Sequence, residues 1–595
     1  MPAMADSSWS RRDLLRGAVA AGVTAAASIG APSVLARAPV AGVDFTHGVA
    51  SGDPLADSVI LWTRAFAQGN GADFFVYWSI SERQDMGSPV SGGFVRASAE
   101  NDWCCKVDAQ GLLPGKTYYY QFVYRARRSP VGVTRTLPVG DVARVRLAFF
   151  SCSNHPKGFF NVYREAARRD DLDAVLHLGD YLYEYGPSGY QTPGLAAGRN
   201  SLGQAVSQPR IGELAPRNEI VTLGDYRQRY ALYRSDPDLQ ELHRKNPWIT
   251  VWDDHESTND SWRGGAENHQ PETEGPWETR LQSAARAYDE WMPIRRATDG
   301  NRLKIFRSFD FGNLARLVML DTRIEGRDQY AVTQDQFLSF YLTARPDGSF
   351  PADVVPGTSR PRRMISTEQE TFVQAQLSGS RQPWQLIGNQ TLLHFQSAPN
   401  FADTRVLPPS VRDPLLAGIE RLLGGPAALA QYNQLARGGL PLYEFVADSW
   451  AAYPTARTRF LATLLQAARN PLVLTGDSHN SWAANLRLPT ATGLANVGVE
   501  LATPAVSSPG FEEALPDLPA QALSAVVVES NTQPAPARVD QLVYAETARR
   551  GFVLLELTAE RATAQWILVD TVFSRDYTAT VGRTVVVPAG ARRIA

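Results

Sequence analysis

The strongest constraint on this chain is a recurrence: a short apolar run that stops abruptly at residues able to bind a cation or a proton. The run Val145 to Phe150 stops at Ser151-Cys152-Ser153-Asn154-His155, and Ala174 to Leu178 stops at Gly179-Asp180-Tyr181-Leu182-Tyr183. Downstream, Pro247 to Trp252 gives way to Asp253-Asp254-His255-Glu256, and Leu314 to Leu320 to Asp321-Thr322-Arg323. Trp384 to Ile387 is followed by Gly388-Asn389-Gln390, and Pro471 to Thr475 by Gly476-Asp477-Ser478-His479. Short apolar runs bounded by turn residues read as buried strands. The amphipathic segment Phe159 to Arg169 between the first two makes a β-α-β unit. Ligands in open α/β sheets gather at the carboxyl ends of strands, so the repeated pattern predicts one site built on one rim.

A different pattern precedes it. From Asp44 to Leu137 the signals are β: Ser58 to Trp62, Phe74 to Ile80, Gly93 to Ala97 and Tyr118 to Tyr124, with turn residues between. That spacing predicts an immunoglobulin- or fibronectin-like β domain over 42–138. Gly140-Asp141 marks the boundary with an α/β domain over 144–590. No cluster of reactive residues lies in the first domain. In the second, Thr367-Glu368-Gln369-Glu370 reads as a capping box opening a helix that ends near Gly379, and Ala456 to Ala468 as a helix stopped by Asn470-Pro471. Strands return at Phe552 to Leu557, Ala564 to Asp570 and Thr584 to Val587. Two stretches rich in Gly, Pro, Ser and Gln, Gly186 to Arg217 and Arg345 to Arg363, read as long loops able to act as lids.

The amino terminus reads as an address. Ser10-Arg11-Arg12-Asp13-Leu14-Leu15 is a twin-arginine pattern, followed by the Ala-rich, weakly hydrophobic stretch Gly17 to Ala31. A signal peptide over 1–38 is expected, with Val34-Leu35-Ala36 or Ala36-Arg37-Ala38 offering cleavage sites. The expected partner is the twin-arginine export machinery, and the expected location is the periplasm or the medium. No later apolar run reaches the about 18 residues of a membrane span, which predicts a soluble mature chain. A net charge of −2 leaves no basic footprint for nucleic acid. Three cysteines exclude a fully paired disulfide framework. Adjacent Cys104 and Cys105 would face opposite sides of a strand and pack.

At the predicted rim, Asp180 can bridge two cations with its two oxygens. Tyr183 by itself is a core aromatic with a satisfied hydroxyl; beside Gly179-Asp180 it becomes a candidate ligand, and a tyrosinate favours ferric iron. Cys152 is either a buried structural thiol, a metal thiolate of lowered pKa, or a nucleophile with His155 as partner. Asp254 is a good metal ligand and His255 a candidate general acid. Asp477 and His479 share one side of an extended segment and can reach one centre.

Ser151 to Asn154, Gly179-Asp180-Tyr181-Leu182-Tyr183-Glu184-Tyr185-Gly186, Trp252 to Glu256, Leu320 to Arg323 and Gly476 to Asn480 together resemble the PhoD-like alkaline phosphatases. Gly48 to Pro54 with Val59 to Arg64 looks like that family's N-terminal β domain. The resemblance spans nearly the whole mature chain. It implies a calcineurin-like metallophosphoesterase fold, a β-sandwich flanked by helices (α/β/β/α), and hydrolysis of phosphate monoesters and diesters. It also implies Fe3+ held by Cys152, Asp180, Tyr183 and His479, with Asp180 bridging to Ca2+ alongside Asp254 and Asp477. Asn154 and His255 would contact phosphate. Gln390 falls where the wider superfamily often has a histidine metal ligand, with Asn389 as its rival. In-line attack by a hydroxide shared between the cations is the implied mechanism. A specialised phosphodiesterase, directed at phospholipids or nucleotides, differs only in pocket shape. A non-catalytic phosphate-binding envelope protein would not need Asp180, Asp254, His255 and His479 together.

Replacing Arg11 and Arg12 by Lys is expected to leave the precursor in the cytoplasm. Immunoblotting of cell fractions checks this, and an unchanged periplasmic level defeats it.

Overall fold

The computed structural model describes residues 42–67, 72–189, 198–330, 355, 358–395, 397, 399–437, 448–514, 520–532 and 539–595. The twin-arginine segment and most of the 345–363 loop lie outside them.

Alternation along each strand decides the layering. In Ala315–Met319, Trp384–Asn389 and Pro471–Thr475, the residues Leu317, Leu386, Leu472 and Leu474 enter one large apolar cluster. Their neighbours Val318, Ile387 and Val473 enter another, packed with Val373, Leu377, Phe460 and Leu464 from helices Thr367–Gly379 and Pro454–Ala467. A strand with both faces buried must be apolar throughout, which is why these segments read as continuous runs. Leu147, Phe149 and Leu176 of the opposite sheet belong to the first cluster. The arrangement is two facing sheets with helices outside, the mixed α/β architecture expected.

One sheet has seven strands. Ala315–Met319, Trp384–Asn389, Pro471–Thr475 and Gly493–Ala502 run parallel at its centre. The other has nine, with Val145–Phe150, Ala174–His177 and Pro247–Thr250 parallel. Parallel neighbours put their carboxyl ends on one edge, so the polar residues that follow each run share a rim.

The nine-stranded sheet continues past the expected boundary. Val49–Gly52 pairs in parallel with Pro247–Thr250, setting Gly52 opposite Trp248, and carries Ser58–Arg64 and Cys104–Gln110 beyond it. The N-terminal β unit therefore shares a sheet with the second unit, and its larger separate sheet runs Gly132–Arg135, Thr117–Tyr124, Phe74–Ser81 and Ser91–Ala97, with Arg127–Arg128 also paired to Thr117–Tyr124. Ser58–Arg64 serves both cores: Val59 and Leu61 pack with Val76, Ile80 and Phe122, while Trp62 joins the main cluster and donates its indole N–H to the Glu290 carbonyl at 2.8 Å. Cys104 and Cys105 divide in the same way, as free buried thiols.

Two local details differ from the sequence reading. The cap of Thr367–Gly379 is Ser366, whose hydroxyl accepts from Gln369 N at 3.0 Å, so the capping signal starts one residue earlier. The hairpin Ser481–Thr490 and Gly493–Ala502 is not apparent from sequence. Its first strand holds Ala483, Ala484 and Leu486, good helix formers that cross-strand pairing overrides.

Candidate metal centre

Along the rim the backbone takes conformations that side chains disfavour. Cys152, Asp180, Asp477 and His479 have φ of 62°, 55°, 62° and 59°, in the left-handed region that costs non-glycine residues on the order of 1–3 kcal/mol each. Strain of this kind persists where packing over-determines it. Gly179 is required in the same turn: its φ is 107°, and a Cβ there would lie 2.3 Å from Cβ of Asp253. Its missing side chain is what lets the Asp180 and Asp253 loops touch.

Two ligand groups result, sharing Asp180. In the first, ligand atoms of Cys152, Asp180 and His479 all lie within 4.8 Å of one another. Tyr183 joins them: its hydroxyl donates to Asp180 Oδ2 at 3.0 Å, lies 3.1 Å from His479 Nε2 and accepts from Ser508 Oγ at 2.7 Å. His479 Nδ1 sits 2.6 Å from the Pro509 carbonyl, so Nδ1 carries the hydrogen and Nε2 presents its lone pair to the group. Burial lowers the pKa of His479 to about 3, leaving it neutral as a ligand must be. Burial, then Asp180 and Asp477, push the Cys152 thiol well up, so the thiolate needs a compensating cation.

The second group is Asp180, Asp253, Asp254 and Asp477, again within 4.8 Å, and Asp180 and Asp254 also approach a ring nitrogen of His255. Asp180 Oδ1 and Asp253 Oδ2 are buried without hydrogen-bond partners, and Asp254 Oδ1 has only the ion pair to Arg323 Nη2 at 3.3 Å. Burial raises the pKa of Asp180 and Asp477 well above the usual range. Converging, orphaned carboxylate oxygens are costly unless cations complete them. The residues therefore fit two cations, one at a mixed S/N/O set and one at an oxygen set.

Three neighbours, present in the sequence motifs but given no role there, organise the site. Arg323 is fully buried and pairs with Asp253, Asp254, Asp448 and Asp477, at 3.3 Å to Asp254 and 3.2 Å to Asp477. Despite burial, Arg323 and His255 hold Asp254 below its ordinary pKa. Glu256 accepts from the backbone N–H of Asp180, Tyr181 and Asp253 at 3.0, 2.6 and 2.8 Å, tying the two acidic loops together. Glu184 lies 2.7 Å from His255 Nδ1 and accepts from Thr258 Oγ1, Asn259 N and Asn268 Nδ2 at 3.0, 2.8 and 3.0 Å. Although burial opposes it, His255 and these donors lower the pKa of Glu184 to about 2. Burial lowers that of His255, but Glu184, Asp254 and Asp180 outweigh it and drive the net shift well upward. Glu184 lies 71 residues from His255 in the chain, so no local pattern links them; only the fold brings the carboxylate to the imidazole.

One expectation is corrected and one open alternative is closed. Gln390 is not brought to the group as a ligand. Its Oε1 accepts from Thr322 N at 3.0 Å and Thr322 Oγ1 at 2.6 Å, and its Nε2 donates to the Leu320 carbonyl at 2.8 Å. Both ends of the amide are spent on bracing the neighbouring rim loop. Its rival Asn389 is likewise engaged, accepting from Trp450 Nε1 at 3.0 Å. The open alternative concerns His155, which packs against Phe160 and Tyr233 with ring centroids 5.8 and 5.4 Å away, while Cys152 Sγ contacts Ser151 Oγ at 3.2 Å. They form no nucleophile–base pair. Asn154 lies on the rim, buried, its carbonyl accepting from Ser507 Oγ at 2.8 Å.

Residues 147–566 match the model of the PhoD-like phosphatase, and residues 30–138 that of the PhoD-like phosphatase N-terminal domain. Alkaline phosphatase D of Bacillus subtilis (strain 168) is 32% identical over 502 residues, covering 81% of this chain and 73% of that protein. A solved structure of PhoD superposes with a TM-score of 0.70 at 27% identity, covering 94% of this chain and 93% of the other.

Arg323→Met removes the guanidinium shared by four carboxylates, three of them buried. Stability is expected to fall by about 3–5 kcal/mol, the cost of stripping one partner from a buried ion pair, as read by urea denaturation of chelator-treated protein.

Proposed function

The chain belongs to the PhoD-like phosphatase family and is a phosphoric ester hydrolase, and we propose that it hydrolyses phosphate monoesters and diesters at a dinuclear centre of Fe3+ and Ca2+. The observation that carries this reading is the position of Asp180, whose carboxylate belongs to both converging ligand groups. Cys152, Tyr183 and His479, with Asp180, would hold the iron. A thiolate and a phenolate are anionic ligands suited to a trivalent ion, and the neutral Nε2 of His479 completes them. Asp180, Asp254 and Asp477 would hold calcium, a hard cation that takes oxygen ligands. When bound, two such cations supply Lewis acidity, acidifying water and neutralising charge on the phosphoryl group.

The chain's own residues do the rest. Glu184 engages Nδ1 of His255, which fixes the ring and leaves Nε2 as the position from which a proton can be given to the departing oxygen. The Tyr183 ring, 4.1 Å from the imidazole between centroids, holds it from one side. Asn154 is assigned to the phosphoryl oxygens. Arg323 keeps Asp254 and Asp477 in place from behind and limits the negative charge that an incoming phosphate meets. The domain division at 138–144 is retained as a division of labour, with the reactive residues all in the second unit. Export is proposed from Arg11 and Arg12. No helix among the described residues is long and apolar enough to cross a membrane.

Purified protein is expected to contain iron and calcium and to show a charge-transfer colour from Tyr183 or Cys152. Elemental analysis giving two zincs and no iron would sink the assignment. His255→Ala is expected to lower kcat about a hundredfold on esters with poor leaving groups, and much less on nitrophenyl esters, with metal content retained. An equal loss on both ester types would assign His255 to phosphate positioning instead, and loss of a metal would make it a ligand.

A further inference from the structure

Away from the rim, at the junction of the two units, Arg234 ends the helix Leu223–Arg234 and is fully buried. None of its three guanidinium nitrogens has a hydrogen bond of good geometry, and its one polar neighbour in reach is the Tyr181 hydroxyl, which carries no charge to answer it. Among the described residues no carboxylate forms an ion pair with it; its Cζ stands 4.3 Å from the centroid of the Trp62 ring. A guanidinium does not lose its proton in a protein, and a buried charge lacking a counter-charge is strongly disfavoured. The ring face offsets part of that cost but satisfies no N–H.

The orphaned groups do not end there. The indole N–H of Trp291, whose ring is 5.7 Å from that of Trp62, is buried without a partner, as is Nδ1 of His243, and the buried hydroxyls of Ser51 and Tyr120 have only each other. His243 Nε2 is 3.0 Å from the Tyr181 hydroxyl. The charge of Arg234 reaches this surrounding: after burial, it is the next influence on His243, and it opposes the burial that raises the phenols of Tyr120 and Tyr181. Water would satisfy such a cluster poorly. Arg234 and Trp291 can only donate, and each water placed on them must find acceptors for its own hydrogens. An anion takes hydrogen bonds from all of them, gives none, and neutralises the guanidinium.

We propose that Arg234, with Trp291 and the Ser51 and Tyr120 hydroxyls, encloses a small monovalent anion of the halide class that joins the N-terminal sandwich to the second unit. The occupant is small because aromatic rings, Trp62 foremost, wall the guanidinium. It acts as a joint because Ser51 and Tyr120 come from strands Val49–Gly52 and Thr117–Tyr124, whereas Arg234 and Trp291 come from helices Leu223–Arg234 and Trp277–Trp291.

The test uses the full-length metal-loaded enzyme crystallised from sodium bromide, with diffraction data at the bromine edge. An anomalous peak within about 3.5 Å of the Arg234 guanidinium is expected; water alone at that position overturns the proposal. Melting temperature in sodium bromide is expected to exceed that in sodium gluconate of equal ionic strength by about 2 °C, and the difference should vanish in Arg234→Met. A difference that persists in Arg234→Met overturns the assignment to this residue. Should that variant fail to fold, the bromide map of the unmodified enzyme decides.

Discussion

Negative charge packed at one edge of the sheets is the interaction on which this structure depends. Asp180, Asp253, Asp254 and Asp477 bring carboxylate oxygens within 4.8 Å of one another, the first three buried and Asp477 partly exposed. At such separations, with an effective dielectric of about 20, each like-charge contact disfavours the assembly by a few kcal/mol. Arg323 answers part of this from beneath, and Asp448 with Arg327 at 2.5 Å extends the web outward. The remaining excess is what makes the edge a cation site. A chain that buried these carboxylates without cations would drive protons onto them, as the upward shifts of Asp180 and Asp477 show.

Holding that charge requires a scaffold that does not relax. The rigidity comes from the parallel strands at the centres of the two sheets, whose side chains fill apolar clusters on both faces. Left-handed turns at Cys152, Asp180, Asp477 and His479 are kept because the strands behind them are fixed and because Glu256 binds two of the acidic loops through three backbone N–H groups. The site is thus strained locally and braced remotely, which preorganises ligands without asking the cations to order them.

The N-terminal unit contributes no reactive side chain but extends the nine-stranded sheet at the edge next to Pro247–Thr250. That strand delivers Asp253 and Asp254. Covering an otherwise open sheet edge and inserting Trp62 into the main core give the unit a structural share in the site. The buried guanidinium of Arg234 lies at this same junction.

How much of this was legible beforehand follows from the range over which each signal acts. Strand and helix placement is local, and the runs ending at Asp180, Asp254 and Asp477 declared themselves through hydrophobicity and the polar residues after them. The ligand types were readable too, since Cys, Asp, Tyr and His at strand ends carry their chemistry with them. Which of the candidates meet was not. Gln390 stands at a strand end like the others, yet its amide is turned to Thr322 and Leu320. Glu184 and Arg323 sat inside recognisable motifs, but their partners lie 71 and 154 residues away for His255 and Asp477. Sequence by itself determined the strands that run into the rim and the residue types they deliver there, because those depend on residue type and neighbours. Only the tertiary structure decided the pairing of charges and the sharing of a sheet between the two units, because electrostatic and cross-strand contacts are set by distance in space and leave no periodic trace along the chain.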